Sequence, residues 1–105
     1  MTYRDLDPAD AQRALQQDPT LKLLDVRTDY EHRSHRLPGA VLLPVQELAM
    51  RADELDAGAN WLVYCEHGRR SVFACEMLEQ AGFTQVTNLR GGMANWLAAG
   101  LPVER

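Results

Sequence analysis

Apolar residues fall along this chain in short blocks whose period switches between that of a strand and that of a helix. Leu21 to Asp25 is a compact apolar run closed by Val26-Arg27, the pattern of a buried strand whose polar residues begin at its carboxyl end. Ala40 to Leu43 and Trp61 to Tyr64 are two more apolar runs, and Gln85 to Leu89 reads as the last strand. Asp7-Pro8 reads as an N-cap followed by proline at the first helical position, and Ala11, Ala14 and Leu15 then share a face up to Gln17. Pro44 to Leu55 carries Leu48, Ala49, Ala52 and Leu55 at helical spacing. A helix from about Ser71 to Ala81 puts Val72, Cys75 and Leu78 on one stripe, with Phe73 and Met77 on an adjacent one and Gly82 as the stop. Gly91-Gly92 is a turn into a last helix, Met93 to Ala99, stopped by Gly100. The polar stretch Thr28 to Gly39, ending in Pro38-Gly39, reads as a loop. Strands alternating with helices predict the α/β class: a central parallel sheet of about four to five strands with helices on both faces.

Length and composition narrow the picture. The 105 residues suit one domain spanning 1–105, without repeat or linker, and 46% hydrophobic with 25% charged residues is ordinary globular composition. The longest apolar stretch, Ala40 to Val45, contains Pro44 and falls far short of the roughly 20 residues a membrane span needs. Met1 to Asp7 has no apolar segment behind a basic cluster, so no secretory signal and a cytoplasmic location are expected. A net charge of −4 without a long single-sign run argues against nucleic acid as a partner. All the basic residues except Lys22 are Arg, the type suited to planar, bidentate contact with oxyanions.

The two cysteines, Cys65 and Cys75, fit neither a CxxC nor a zinc-ribbon spacing. Cys65 follows the predicted strand Trp61 to Tyr64, at the sheet edge where open parallel sheets bind ligands, and is the candidate for an exposed thiol. Residues 66–70 run directly into a helix, so loop amides and the helix dipole surround the sulfur with positive potential. Such surroundings lower a cysteine from about 8.5 to roughly 3.5–7.5, which makes Cys65 a thiolate nucleophile or an anion-site sulfur. Gly68 permits an unusual turn, and Arg69 and Arg70 bring guanidinium groups within reach. The competing reading is a small buried apolar residue at a strand end. Cys75, on the apolar stripe with Val72 and Leu78, reads as core, as do Trp61 and Trp96. A metal site from Cys65, His67, Cys75 and His32 matches no familiar zinc pattern, and no metal is expected.

These residues carry a resemblance. Cys65-Glu66-His67-Gly68-Arg69-Arg70-Ser71 is similar to the CxxGxRS active loop of rhodanese domains. Leu24-Asp25-Val26-Arg27 with Leu37-Pro38-Gly39-Ala40 resembles their first signature segment. Asn88-Leu89, Gly91-Gly92, Trp96 and Gly100-Leu101-Pro102 are similar to their C-terminal ending, so the resemblance runs from about Leu21 to Val103. It implies a single-domain, rhodanese-like sulfurtransferase that needs no cofactor. Cys65 would take the outer sulfur of thiosulfate or another sulfane donor, holding it as a persulfide until a thiol, cyanide or a protein acceptor removes it. Loop amides, Glu66, His67, Gly68, Arg69, Arg70 and Ser71 would line the persulfide and donor, with Asp25, Arg27 and Glu31 in support.

Within that expectation several roles stay open. Glu31 or Asp25 is a candidate to clamp Arg70, against ordinary loop solvation. His67 is a charge-modulating or a proton-transferring group, and Ser71 serves a backbone amide or the persulfide. Glu66, odd beside a thiolate, is expected to point to solvent, and Glu31 to Arg36 is expected to be a solvated surface loop rich in cationic groups. Where tandem-domain relatives often place an arginine near the position of Glu31, this chain has none. The rivals are a same-fold cysteine phosphatase or arsenate reductase and a non-catalytic interaction module. Four residues separate Cys65 from Arg70, one fewer than in the CX5R loop of the phosphatases, whereas interaction modules of this kind typically lack the cysteine.

Overall fold

Five strands, all parallel, form the sheet in the computed structural model, which describes residues 3–105. They are β1 (Arg4–Leu6), β2 (Lys22–Asp25), β3 (Val41–Leu42), β4 (Asn60–Tyr64) and β5 (Gln85–Leu89), in the order β1-β5-β4-β2-β3. The helices are α1 (Pro8–Gln17), α2 (Asp29–Ser34), α3 (Leu48–Arg51), α4 (Arg69–Gln80) and α5 (Gly92–Ala98). Central β4 pairs Asp25 with Tyr64 on one side and Val63 with Asn88 on the other, and its residues Trp61 to Tyr64 are all buried. Such double-sided burial explains its unbroken apolar run. On one face Leu23, Leu62, Tyr64 and Leu89 pack with Ala11 of α1 and Met93 and Trp96 of α5. On the other, Leu24, Val63 and Val86 pack with Leu48 of α3 and Ala74, Cys75 and Leu78 of α4. Cys65 therefore leaves the sheet at the carboxyl edge of its middle strand.

Three segments differ from the sequence expectation. β1 was not expected, because Leu6 is its sole apolar residue; polar contacts hold this edge strand instead. Asn88 Nδ2 and Arg90 Nε donate to the two carboxylate oxygens of Asp5 at 2.8 and 3.0 Å, and the Arg90 amide donates to the Leu6 carbonyl. The stretch read as a loop between Thr28 and Gly39 contains α2, which has no buried residue and hence no apolar stripe. Its start is a capping box: the Glu31 amide donates to Thr28 Oγ1 and the Thr28 amide to Glu31 Oε1. The stretch Pro44 to Leu55 is three short turns, with 3-10 turns at Val45–Glu47 and Ala52–Glu54 flanking α3, an arrangement common at helix ends. On α4, Cys75 and Leu78 face the core as expected, while Phe73 is exposed.

Candidate active site

The turn from β4 into α4 builds the site around Cys65, a residue only 1% exposed, so the expected exposed thiol is in fact covered. The cover is the loop itself, whose donors are turned inward. The Gly68 amide donates to Cys65 Sγ at 3.1 Å and the Ser71 amide at 3.3 Å, while Sγ lies 3.4 Å from Ser71 Oγ. Gly68, with φ +93°, makes the reversal that lets α4 begin at Arg69. The carbonyls on this turn are drawn the other way by α5, whose Met93 and Ala94 amides donate to the carbonyls of Cys65 and Glu66 at 2.9 and 3.0 Å. Gly92 is the residue that allows this approach, since a Cβ there would stand 2.3 Å from the Cys65 carbonyl oxygen. Donors thus face the sulfur and acceptors face away, a polarity that favours an anion.

Beneath the loop lies a buried ionic network. Arg27, 1% exposed, donates through Nε and Nη2 to the two oxygens of Asp25 at 3.0 and 2.9 Å. Its Nη2 also reaches the His35 carbonyl at 2.6 Å, and its Nη1 reaches Glu66 Oε1 at 3.1 Å. Glu66 is therefore held from below by Arg27 and does not simply point to solvent. Asp25 further accepts from the Tyr64 hydroxyl at 3.0 Å and contacts His32 Nδ1 at 2.9 Å. Tyr64 itself accepts from the Leu37 amide at 3.1 Å, and burial pushes its hydroxyl above the usual tyrosine range. A charge pair this deep is stable because every partner is present; breaking such a pair costs about 3–5 kcal/mol.

At the rim, Arg70 is clamped by Glu31 of α2. Its Nη1 and Nη2 donate to the two carboxylate oxygens at 2.8 and 3.0 Å, in a fork-to-fork pair. These bonds, reinforced by those of Thr28, hold the Glu31 carboxyl down at about 2. Glu31, and then the nearby Cys65 sulfur, hold the Arg70 guanidinium above its usual range. Of the two clamp candidates it is thus Glu31 that touches Arg70, while Asp25 serves Arg27. Arg69 and His67 are exposed, and Arg69 has no ion-pair partner among the described residues.

Tyr64, the α5 amides and the contact of His32 with Asp25 were absent from the sequence reading. Tyr64 is the last residue of the expected strand Trp61 to Tyr64, and its hydroxyl acquires a role only once β2 and β4 are adjacent. The expected surface loop Glu31 to Arg36 is instead the wall of the site: Glu31 and His32 are half-buried, and the Arg36 amide and carbonyl pair with Glu104. Thr28-x-x-Glu31 was the readable signal for that wall.

An open parallel sheet that delivers a cysteine into an amide-lined turn defines an α/β domain built to present a sulfur at its strand ends. The model of the rhodanese-like domain matches residues 7–99, and the chain belongs to that family. A sulfurtransferase of Allochromatium vinosum is 33% identical over 99 residues, covering 94% of this chain and 92% of that protein. The thiosulfate sulfurtransferase GlpE of Glaesserella parasuis is 31% identical, with 98% of this chain and 94% of that one covered. The crystal structure of a rhodanese-related protein from Thermoplasma volcanium superposes with a TM-score of 0.88 at 29% identity, over 97% of this chain and 98% of that one. None of the helices among the described residues is long and apolar enough to cross a membrane.

Proposed function

We propose that this chain is a sulfurtransferase that carries sulfane sulfur on Cys65 as a persulfide. The observation that carries the proposal is the pair of amides, from Gly68 and Ser71, aimed at Sγ. Hydrogen bonds to a charged group contribute about 1.5–3 kcal/mol each, and they act on the thiolate before transfer and on the persulfide anion after it. With thiosulfate as donor, the Cys65 thiolate attacks the outer sulfur, the sulfur–sulfur bond of the donor breaks, and sulfite leaves with the bonding pair. A thiol, cyanide or a sulfur-accepting protein then attacks the terminal sulfur of the persulfide and returns Cys65 to a thiolate. The inward-facing amides favour the attacking sulfur as an anion, and sulfite is a weakly basic leaving group, so the reading calls for no general base. The relatives named sulfurtransferases support this class of chemistry.

In this reading Gly68 and Ser71 hold the sulfur, and Arg70 sets the mouth of the loop under the grip of Glu31. Glu66 fastens the loop to Arg27 and Asp25, and Arg69 and His67 meet the incoming partner. Steady-state transfer from thiosulfate to cyanide tests the proposal: varying both substrates should give the parallel double-reciprocal lines of a ping-pong mechanism. Lines that intersect, showing both substrates bound before any sulfur moves, would rule out a free persulfide enzyme.

A further inference from the structure

The charges around Cys65 cancel, and the way they cancel bears on which donors the site accepts. Three arginines lie at the loop, Arg27, Arg69 and Arg70, and three carboxylates answer them, Asp25, Glu31 and Glu66. Arg27 spends Nε and both terminal nitrogens on Asp25, Glu66 and the His35 carbonyl. Arg70 spends both terminal nitrogens on Glu31. Arg69 alone of the three has no carboxylate partner among the described residues. With Cys65 ionised, the cluster carries a net negative charge, and a dianion approaching it is repelled twice as strongly as a monoanion. The groups that would ordinarily offset this, the terminal nitrogens of Arg70, already hold an anion belonging to the protein.

We infer that Glu31 is a specificity-determining residue, an internal carboxylate that occupies Arg70 and biases the site toward sulfane donors of low charge and away from dianions such as thiosulfate. This rests on the persulfide reading of Cys65 and names the donor class of that same site. A low-charge donor is a hydropersulfide or a thiosulfonate. With a hydropersulfide, the Cys65 thiolate bonds to the outer sulfur, the donor sulfur–sulfur bond breaks, a thiolate leaves with the electron pair, and the proton stays on the transferred sulfur. With a thiosulfonate anion the leaving group is a sulfinate, one charge poorer than sulfite. Neither transfer needs an external oxidant or reductant.

The test compares thiosulfate with methanethiosulfonate, sulfane donors that differ by one unit of charge, on the wild-type chain and on Glu31→Gln. Glutamine at this position still completes a capping box, so α2 keeps its start. Removing one negative charge changes the energy of a dianion twice as much as that of a monoanion, so the fold-change for thiosulfate should be the square of the other. We expect the thiosulfate KM to fall about tenfold and the methanethiosulfonate KM about threefold. A wild-type measurement stands beside the variant: raising ionic strength should lower the thiosulfate KM by screening repulsion, and lower the methanethiosulfonate KM less. Equal effects on the two donors, or a thiosulfate KM that rises with salt or in Glu31→Gln, would overturn the assignment while leaving sulfur transfer itself intact. Absence of transfer from either donor to the wild-type chain would remove the persulfide reading and this inference together.

Discussion

Cys65 and Cys75 are both closed to solvent, at 1% and 0% exposure, and both belong to one apolar cluster. Their sulfurs nonetheless meet opposite surroundings. Cys75 sits within α4, where the backbone amides are committed to the helix, so its sulfur has apolar neighbours and, further off, Glu79 and Asp5. Burial, and then those carboxylates, push its thiol up to about 12. Cys65 sits one residue past the end of β4, where the turn leaves amides uncommitted and two of them reach the sulfur. Burial alone therefore does not distinguish the surroundings of the two sulfurs. Which way the nearest peptide groups face does, and here α5 sets that direction by taking the loop carbonyls.

The largest expected effect breaks the comparison outright. Cys65→Ser should lose sulfur transfer completely, whereas Cys75→Ala should keep it and lower unfolding stability by about 1 kcal/mol, an ordinary cost for a small core deletion. Transfer that survives the first change, or vanishes with the second in a folded protein, would reverse the roles given to the two sulfurs.

A smaller effect sharpens the claim that orientation of the loop matters. Gly92→Ala places a Cβ 2.3 Å from the Cys65 carbonyl oxygen and 2.8 Å from Glu66, at φ +63°. Gly100→Ala imposes a similar left-handed backbone, φ +74°, with nothing within 4 Å of the new Cβ. Each should cost about 1–3 kcal/mol in backbone strain. Only Gly92→Ala should also displace the turn, and a misplacement near 1 Å lowers the rate on the order of 100-fold. If thermal unfolding and transfer kinetics show both variants equally active, α5 does not control the loop.

The smallest effect concerns the rim. The Glu31 carboxyl is depressed from 4.5 to about 2, so its clamp on Arg70 contributes fully above the unfolded value and is lost as pH falls from about 4.5 toward 2. The stability difference between the wild-type chain and Glu31→Gln should accordingly shrink over that window. The pair is partly exposed, which limits the change to about 1 kcal/mol or less. Urea unfolding at a series of acidic pH values measures it, and a difference that grows on acidification would have the wrong sign for a clamp.

Much of this was legible in the amino-acid sequence, for physical reasons that differ by region. The apolar runs of β2 and β4 lie in the interior of the sheet, so composition alone marks them, whereas β5 sets Thr87 and Asn88 between Val86 and Leu89. Asp7-Pro8 states the start of α1, and its side chain does accept from the Asp10 amide at 2.9 Å. The CxxGxRS spacing was visible because a turn of this shape needs Gly68 at a fixed place. What stayed hidden depends on partners distant in sequence. β1 is held by Asn88 and Arg90 across more than eighty residues, α2 presents no apolar stripe, and Glu66 finds Arg27 thirty-nine residues away. Polar side chains do not announce such partners, because the same residues at the surface would look identical.

The most direct test of the account is the location of the sulfur. The native protein, incubated with thiosulfate or methanethiosulfonate, trapped with an alkylating reagent and cleaved into peptides, should show one added sulfur atom on the peptide carrying Cys65 and none on that carrying Cys75. Cyanide added before trapping should remove it. An added sulfur on Cys75, or unmodified Cys65 after exposure to both donors, would contradict the assignment of Cys65 as the sulfur carrier.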